Sequence, residues 1–296
     1  IDRGLSYVPG EPSDLVFKLE RWRDEDKSQP SFLLQEAIVS GGIEMAGGGW
    51  FGPTGFSQWI CENFEEKKLM NDGLGLNVGE MGTILRYVNK SYLFDCVLEP
   101  MTDFLHGLNY VGYVDMNTII SNGEPWPLEW TMRLGDPTWR IQTALHDGDP
   151  AEWMIDLLNG KDSLTVSRDI AVGVQMVHGD FPYSKFTKKA VTGFPISGIT
   201  ADNREHVHFK EVMHGEAPAM MGGKVKRIPM MVTAGDEVLV VTGTGKTVSA
   251  AAQAAYDVAW DIKFPSNRGF RTDIGCRLED ELPELQKHGF AKGMNY

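Results

Sequence analysis

The sequence predicts an α+β fold. Helical segments stand singly between strand-like runs rather than in a regular βαβ repeat, and one long stretch reads as a β-hairpin. In "SDLVFKLERWRDE" (13–25), Leu15, Val16, Leu19 and Trp22 recur at helical spacing, with Ser13 placed to cap the N-terminus. "PSFLLQEAIV" (30–39) reads as a short apolar strand. "GGIEMAGGGWFGPTGF" (41–56) is too glycine-rich for a packed helix and reads as strand edges and turns. A glycine loop, "NDGLGLNVGEMGT" (71–83), precedes a helical stretch ending near Gly107.

The hairpin is "NYVGYVDMNTIISNGEPWPLEWTMRLGDP" (109–137), two β-rich runs about an Asn122-Gly123 turn. "DPAEWMIDLLNG" (149–160) is a compact helix with Asp149 as cap, Pro150 at the first position and Gly160 closing it. "IAVGVQMVHG" is a buried strand. "EVLVV" is another, followed by a glycine turn and a helix over 248–263.

That turn, "VTGTGKT", raises a nucleotide question. Glycines before a helix N-terminus aim backbone N–H groups at an anion. A P-loop, however, needs glycine five residues before its Gly-Lys-Thr glycine, and that position is Val240. The other reading is a strand-to-helix turn shaped by Gly243 and Gly245 and capped by Thr247.

The chain has 296 residues, 42% of them apolar, and a formal charge of −13, which repels polyanions. Nucleic acid is not an expected partner. No apolar run approaches the ~18 residues of a membrane span. Cys61, Cys96 and Cys276 are widely spaced and form no CxxC pair, which supports neither a disulfide framework nor a zinc site; reduced cytoplasmic thiols are expected. The length suits two domains. The first residue is Ile1, and the N-terminus is expected to be a fragment boundary.

The densest polar cluster is "LEWTMRLGDP" (128–137). In a strand, Glu129, Thr131 and Arg133 share a face. They can hold a metal-nucleotide and an anionic substrate, or they can be a solvated edge-strand face. Asp115, on the partner strand, can approach Glu129 and join a metal site, or it can be an ordinary exposed carboxylate.

The hairpin resembles the segment of the glycinamide ribonucleotide synthetase (phosphoribosylamine-glycine ligase) family that runs from "GxLYxGLM" to "EFNxRFGDPE". "FEEKKLMNDGLGLNVGEMGT" is similar to the family's "DHKRxxDGDTGPNTGGMGA". "AVGVQMVHGDFP" resembles "AVxVVLAxxGYP". "VLVVTGTGKTVSAAAQAAYDVAWDIKF" resembles "VLxVTALGxTLxEAxxxAYxxVxxIxF", and "GFRTDIGCR" resembles "FYRxDIGxR". Five blocks stand in the family's order from about residue 30 to 278.

The resemblance implies an ATP-grasp fold, with an ATP-grasp part over 1–160, incomplete at its N-terminus, and a small C-terminal α/β domain over 161–296 that includes the last core strands. It implies a cytoplasmic ligase, a monomer or weak homodimer, that uses ATP and Mg²⁺ or Mn²⁺. The reaction implied is the phosphorylation of glycine's carboxylate and the transfer of the acyl group to the amine of phosphoribosylamine. Position by position, Glu129 matches the metal-binding glutamate, with Thr131 and Asp115 as weaker metal candidates. Arg133 and Asp136 match the catalytic residues of "RxGDP", and Gly135 and Pro137 complete that substrate-binding loop. Asn77, Gly79, Met81, Gly82 and Lys67 match the glycine loop and its lysine near the substrates. Arg271 and Asp273 match "RxDIG". Gln35, Glu36, Ala37 and Ile38 resemble the adenine-binding hinge, and Glu44 the glutamate on the ribose hydroxyls.

Departures accompany the match. The family's second metal ligand, asparagine, is here Thr131, the glutamate after "GDP" is Thr138, and a glycine of "TGGMG" is Glu80, which adds negative charge near a site meant for anions. These changes imply a retuned substrate or an impaired site. The family's N-terminal domain and its first lysine-bearing ATP-grasp strand have no counterpart here, and helix 13–25 is where the chain joins the family's pattern. In this alignment Lys246 is a surface residue at a turn, and the nucleotide site moves upstream to "QEAI" and "LEWTMRLGDP".

Overall fold

A computed structural model describes residues 7, 9–25, 33–38, 41–183, 191–265 and 267–296. The chain forms two units, Ile1–Gly42 and Ile43–Tyr296. In the first, α1 (Pro12–Glu25) begins one residue before Ser13, so Ser13 is not its cap; the Asp14 carboxylate instead accepts from the Glu11 N–H. Residues 33–38 have no regular structure, contrary to the strand expected there, and Leu33 and Leu34 are exposed. An apolar run becomes a strand when a neighbour pairs and covers it, and these two leucines have no cover. Residues 30–32 and 39 of that expected strand lie outside the described residues.

The second unit is built on an eight-stranded sheet. β1 (Ile43–Gly52), β2 (Gly55–Lys68) and β3 (Asn77–Val88) form an antiparallel meander. After α2 (Tyr92–Val97) and α3 (Thr102–Gly107) come β4 (Gly112–Ser121) and β5 (Glu124–Thr131), the expected hairpin, with Asn122 and Gly123 both at positive φ in its turn. α4 (Thr138–Gln142) and β6 (His146–Asp147) lead to α5 (Pro150–Leu158), where the Asp149 carboxylate accepts from the Ala151 N–H as a cap should. β7 (Thr165–Val166) pairs with β6, and β8 (Ile170–Val177) is buried along its whole length. β9 (Val207–Phe209) is followed by β10 (Val212–Met221) and β11 (Lys224–Thr233), which pair with each other in a separate two-stranded sheet. β12 (Glu237–Gly245), α6 (Val248–Asp261) and α7 (Leu278–Lys287) complete the chain. The sheet order is β5-β4-β1-β2-β3-β8-β12-β9, so strands on either side of residue 160 share one sheet.

Two sequence readings are corrected. The 41–56 segment turns at Pro53-Thr54 as expected but is no sheet edge: β1 lies inside the sheet, paired with β2 on one side and β4 on the other, and is largely buried. Its glycines serve close approach, since a Cβ on Gly48 would stand 2.0 Å from the Tyr113 hydroxyl and 2.5 Å from Asp115 Oδ2. The second correction concerns residues 77–83, read as loop before a helix, which open β3 and pair with β2 and β8.

The main core lies between the sheet and the helices α2, α6 and α7, centred on Phe64, Ile84, Val172, Val241, Ala255 and Leu282. α6 packs so closely on β12 that a Cβ on Gly243 would meet the Ala255 N at 2.1 Å. The opposite sheet face is covered in part by α4, whose Ile141 sits with Leu85, Tyr87 and Val240. Cys61, Cys96 and Cys276 are free thiols.

Candidate active site

Side chains alternate along a strand, and cross-strand partners share a face. In β2 this places Asn63, Glu65 and Lys67 together. The register extends their face: Ala46 lies between Asn63 and Asn117, Gly48 pairs with Asp115, and Thr83 pairs with Glu65. β5 adds Glu129 opposite Asn117 and Thr131 opposite Asp115. Small residues in β1 leave room above it, and the Asn63 amide reaches across to donate to Asp115 Oδ2 at 3.0 Å.

Lys67 is the cation of this face. Its ammonium bonds the Glu44 carboxylate and lies 3.2 Å from Glu65. Burial pushes the Glu65 carboxyl up, Lys67 opposes the shift, and Glu44 and Glu129 add to it. Burial and the charge of Glu65 hold Glu80 well above the usual carboxylate range, with the Thr138 hydroxyl donating to it at 3.3 Å. Asp115 is pushed up to about 7, by burial first and by Glu65 second, despite bonds from Tyr113 and Asn63. The expected meeting of Asp115 and Glu129 is thus indirect, because Asp115 faces Thr131 and is committed to Tyr113 and Asn63.

The "RLGDP" loop follows β5. Strand alternation does not carry to Arg133, because β5 ends at Thr131; the exposed Arg133 guanidinium bonds the Leu134 carbonyl. Gly135 leaves no room for a Cβ, which would stand 2.8 Å from Thr138 Cβ, and its carbonyl accepts from the Trp139 N–H. Pro137 immediately precedes α4 and is joined to Asp136 by a cis peptide. Asp136 accepts from Arg140 at 3.2 Å and from Lys210 at 2.9 Å. Burial raises its pKa, but these two bonds win and hold it below the usual range. Lys210, nearly buried, also bonds Glu237 at 2.9 Å and Gln175 at 3.1 Å.

Other expected site residues lie elsewhere. Arg271 is buried and bonds both oxygens of Asp273, together with Glu66, which alternates onto the opposite sheet face from Glu65 and Lys67. Asp273 accepts from the Asp72 N–H, fastening the 71–73 turn to the C-terminal segment. Arg271 and Asp273 therefore do not converge with Glu129. Asn77 is exposed and accepts from the N–H of Gly79, itself at φ 105. Met81 is buried, and a Cβ on Gly82 would meet the Gly173 carbonyl at 2.7 Å, so these two positions are sheet interior. Gln35, Glu36, Ala37 and Ile38 belong to the first unit, where they form an irregular, mostly exposed stretch.

Hard divalent cations take oxygen ligands. Glu129, Thr131 and the buried Asn117 Oδ1, which has no hydrogen-bond partner, offer such a set across the β4–β5 pair. Among the described residues, no three His, Cys, Asp or Glu are grouped to hold a metal unaided. The donors fit a cation that draws its remaining ligands from phosphate or water, as Mg²⁺ does.

Sequence reading missed Lys210, Asn63, Asn117 and Thr83 as members of this region. The alternation of "CENFEEKK" was the available signal for Asn63. Lys210 arrives from the bend just after the distant strand β9 and left none.

No family model matches the chain. It is 26% identical to the phosphoribosylamine-glycine ligase of Haemophilus influenzae over 239 residues, covering 77% of this chain and 52% of that protein. For the enzyme of the same name from Allochromatium vinosum the identity is 28% over 269 residues, covering 79% and 59%. The chain thus spans about half the length of the curated relatives it matches. Among solved structures, the Thermotoga maritima phosphoribosylamine-glycine ligase superposes with a TM-score of 0.60 at 23% identity, covering 79% of this chain and 56% of that one. The biotin carboxylase domain of Hydrogenobacter thermophilus 2-oxoglutarate carboxylase, a dimer bound to MgADP and bicarbonate, gives 0.50 at 10% identity, covering 94% and 58%. In sequence the chain is thus similar to phosphoribosylamine-glycine ligases, and it shares the ATP-grasp fold of the Thermotoga maritima enzyme.

Proposed function

We propose that the protein is an ATP-dependent carbon–nitrogen ligase that activates the carboxylate of glycine as an acyl phosphate and joins it to the amine of phosphoribosylamine, giving glycinamide ribonucleotide for purine synthesis. The observation that carries this reading is the "EWTMRLGDP" segment: it forms β5 and its loop, with Glu129 on the face of Lys67 and Asp136 fixed by Lys210 and Arg140. Relatives of that name match the chain over most of its length.

In this reading Glu129, Thr131 and Asn117 Oδ1 would hold Mg²⁺ or Mn²⁺, which would supply positive charge against the phosphoryl group. Arg133, exposed beyond the end of β5, pairs with anionic oxygen of ATP or the acyl phosphate. Asp136, ionised by its two cationic neighbours, fixes the loop that carries Arg133. Gln35 to Ile38 and Glu44 are assigned to the adenosine, and Lys67, Asn77, Gly79, Met81, Gly82, Gly135, Pro137, Arg271 and Asp273 to the substrate side or its support. The division at residue 160, a cytoplasmic setting and a monomeric or weakly dimeric state belong to the same proposal. The charge of −13 argues against nucleic acid as a partner, and no helix among the described residues is long and apolar enough to cross a membrane.

The test is ADP release by the full-length gene product with Mg²⁺, glycine and phosphoribosylamine. Glycine-dependent turnover supports the assignment, and its absence at saturating substrates removes it. A second reading, a related ligase with another amino acid or amine, or a catalytically impaired nucleotide-binding homologue, is favoured by Glu80 and by Thr131 in place of asparagine. ADP release across a panel of amino acids and amines, with Mg-ATP calorimetry, separates these.

A further inference from the structure

Two of the chain's departures from the family motifs touch each other. A motif glycine is here Glu80, and the motif glutamate after "GDP" is Thr138. The Thr138 hydroxyl, at the head of α4, donates to the Glu80 carboxylate of β3 at 3.3 Å. One carboxylate is thus lost from the loop, and another is gained within hydrogen-bond reach of the same point. Singly, each change alters the charge of the site. Together they leave one carboxylate there.

The backbone of β3 is shaped for this contact. Along a regular strand Glu80 would share the face of Gly82 and Ile84, which pack with Ile274 in the main core, away from Leu85 and α4. The pairing of β3 with β2 slips at this point, from Gly82 opposite Glu66 to Asn77 opposite Lys68, and Gly79 takes φ 105. A bulge re-aims a side chain, and this one brings Glu80 to the α4 side. Thr138 is buried and packs on the loop, since a Cβ on Gly135 would stand 2.9 Å from its hydroxyl. Among the described residues Glu80 forms no ion pair; Lys67 acts on it from farther off, and Glu65 and Asp136 oppose its charge. The "RLGDP" loop is therefore held from two sides, at Asp136 by Lys210 and at Thr138 by Glu80.

We propose that Glu80 and Thr138 are an exchanged pair: β3 supplies the carboxylate that the motif carries after "GDP", and through the Thr138 hydroxyl it positions the loop that bears Arg133. This rests on the ligase reading, in which Arg133 pairs with anionic oxygen of ATP or the acyl phosphate. Glu80 acts through Thr138 and is a positioning residue. Its effect falls on the step that needs the loop in place, because small misplacements of a reacting geometry are costly.

The experiment is a double-mutant cycle on the full-length protein with Glu80→Gly, Thr138→Glu and the two combined. ADP release with Mg-ATP, glycine and phosphoribosylamine gives kcat and KM, and thermal melts run beside it. Glu80→Gly removes the acid, and Thr138→Glu sets two acids in contact. Each should lower kcat about tenfold, the scale of one lost charged hydrogen bond, and change the KM for ATP by less than about twofold, as for a contact made in the transition state. The combined variant should return to within about threefold of wild type, the longer side chain filling the room that Glu80 leaves. Single losses that multiply in the combined variant overturn the proposal. So do melting temperatures that recover while kcat does not, the mark of a purely structural contact. Where Thr138→Glu does not fold, Thr138→Val replaces it: Thr138→Val and Glu80→Gly should each lower kcat, and together no more than either alone. Unchanged kcat in both overturns the pair. A wild type that releases no ADP removes the ligase reading, and the melts then decide the exchange: recovery in the combined variant keeps it, and additive losses remove it.

Discussion

The Lys210 ammonium lies 2.9 Å from the Asp136 carboxylate and 2.9 Å from Glu237, joining the "GDP" loop to β9 and β12. Asp136 is half exposed, so most of the cost of losing Lys210 falls on Glu237 and Gln175 rather than on a stranded aspartate. Lys210→Met should lower stability by about 2 kcal/mol, the scale of charged hydrogen bonds lost in a partly buried setting. Lys210→Arg should recover more than half of that loss. Thermal melts of the two variants beside the wild type check this, and equal melting of all three would show that Lys210 anchors nothing.

Asp115 has its carboxyl pushed up to about 7, against 3.8 for an unperturbed aspartate. A raised carboxyl favours the folded state while protonated, so its contribution is complete below about pH 4 and is lost as pH rises through about 7. At about 1.4 kcal/mol per unit, the ceiling on this effect is about 4 kcal/mol. Asp115→Asn keeps the shape and removes the titration. The variant's melting temperature relative to wild type should therefore climb between pH 4 and 7 and then level off. His146 and His208, lowered to about 4 by burial, act in the opposite sense, losing stability as pH falls from about 6.5, but they are common to both proteins and cancel in the difference. A difference that stays flat with pH would place Asp115 in a wetter environment than the one described.

Much of this unit was legible wherever local chemistry decides the backbone. The Asn122-Gly123 turn, the Asp149-Pro150 helix start and the Thr247 cap each stand where residue type placed them. Illegible parts depended on distant partners. "AGGG" in β1 is a weak strand former by itself and becomes interior because β2 and β4 pair on both sides. "LLQEA" had strand composition and forms no strand. At the site, Glu129 and Asp136 could be found from their motif, whereas Lys210 reaches Asp136 from seventy-odd residues away and the face around Glu65 exists only once β1 to β5 are in register.

Gly48 tests the close approach in β1 directly. A Cβ there would fall 2.0 Å from the Tyr113 hydroxyl and 2.5 Å from Asp115 Oδ2, and these side chains are held by Gln142 and Asn63. Gly48→Ala should destabilise by about 1–3 kcal/mol through overpacking. Gly107→Ala, where a Cβ meets nothing within 4 Å, is the control and should be neutral or stabilising by about 0.5 kcal/mol. Denaturant midpoints at unchanged slope measure both, and equal midpoints would contradict the packing described above β1.

Lys246 tests the glycine turn that looked like a phosphate loop. A helix N-terminus binds an anion through its unpaired N–H groups, and α6 has few to offer. Val248 N–H donates to the Asn295 carbonyl at 2.9 Å, Ser249 N–H to the Tyr296 carbonyl at 3.2 Å, and Ala250 N–H to the Thr247 hydroxyl at 3.1 Å. The glycines before it serve contact with α6, since Gly243 and Gly245 leave no room for a Cβ against Ala255 and Ala251. Lys246 itself points into solvent and bonds Asp169. Lys246→Ala should change Mg-ATP affinity, measured by calorimetry, by less than about twofold, and stability by no more than about 0.5 kcal/mol, as for an exposed ion pair. A tenfold loss of nucleotide affinity would return the phosphate site to this turn. An unchanged affinity leaves the sheet face of Lys67 and Glu129 as the place to look.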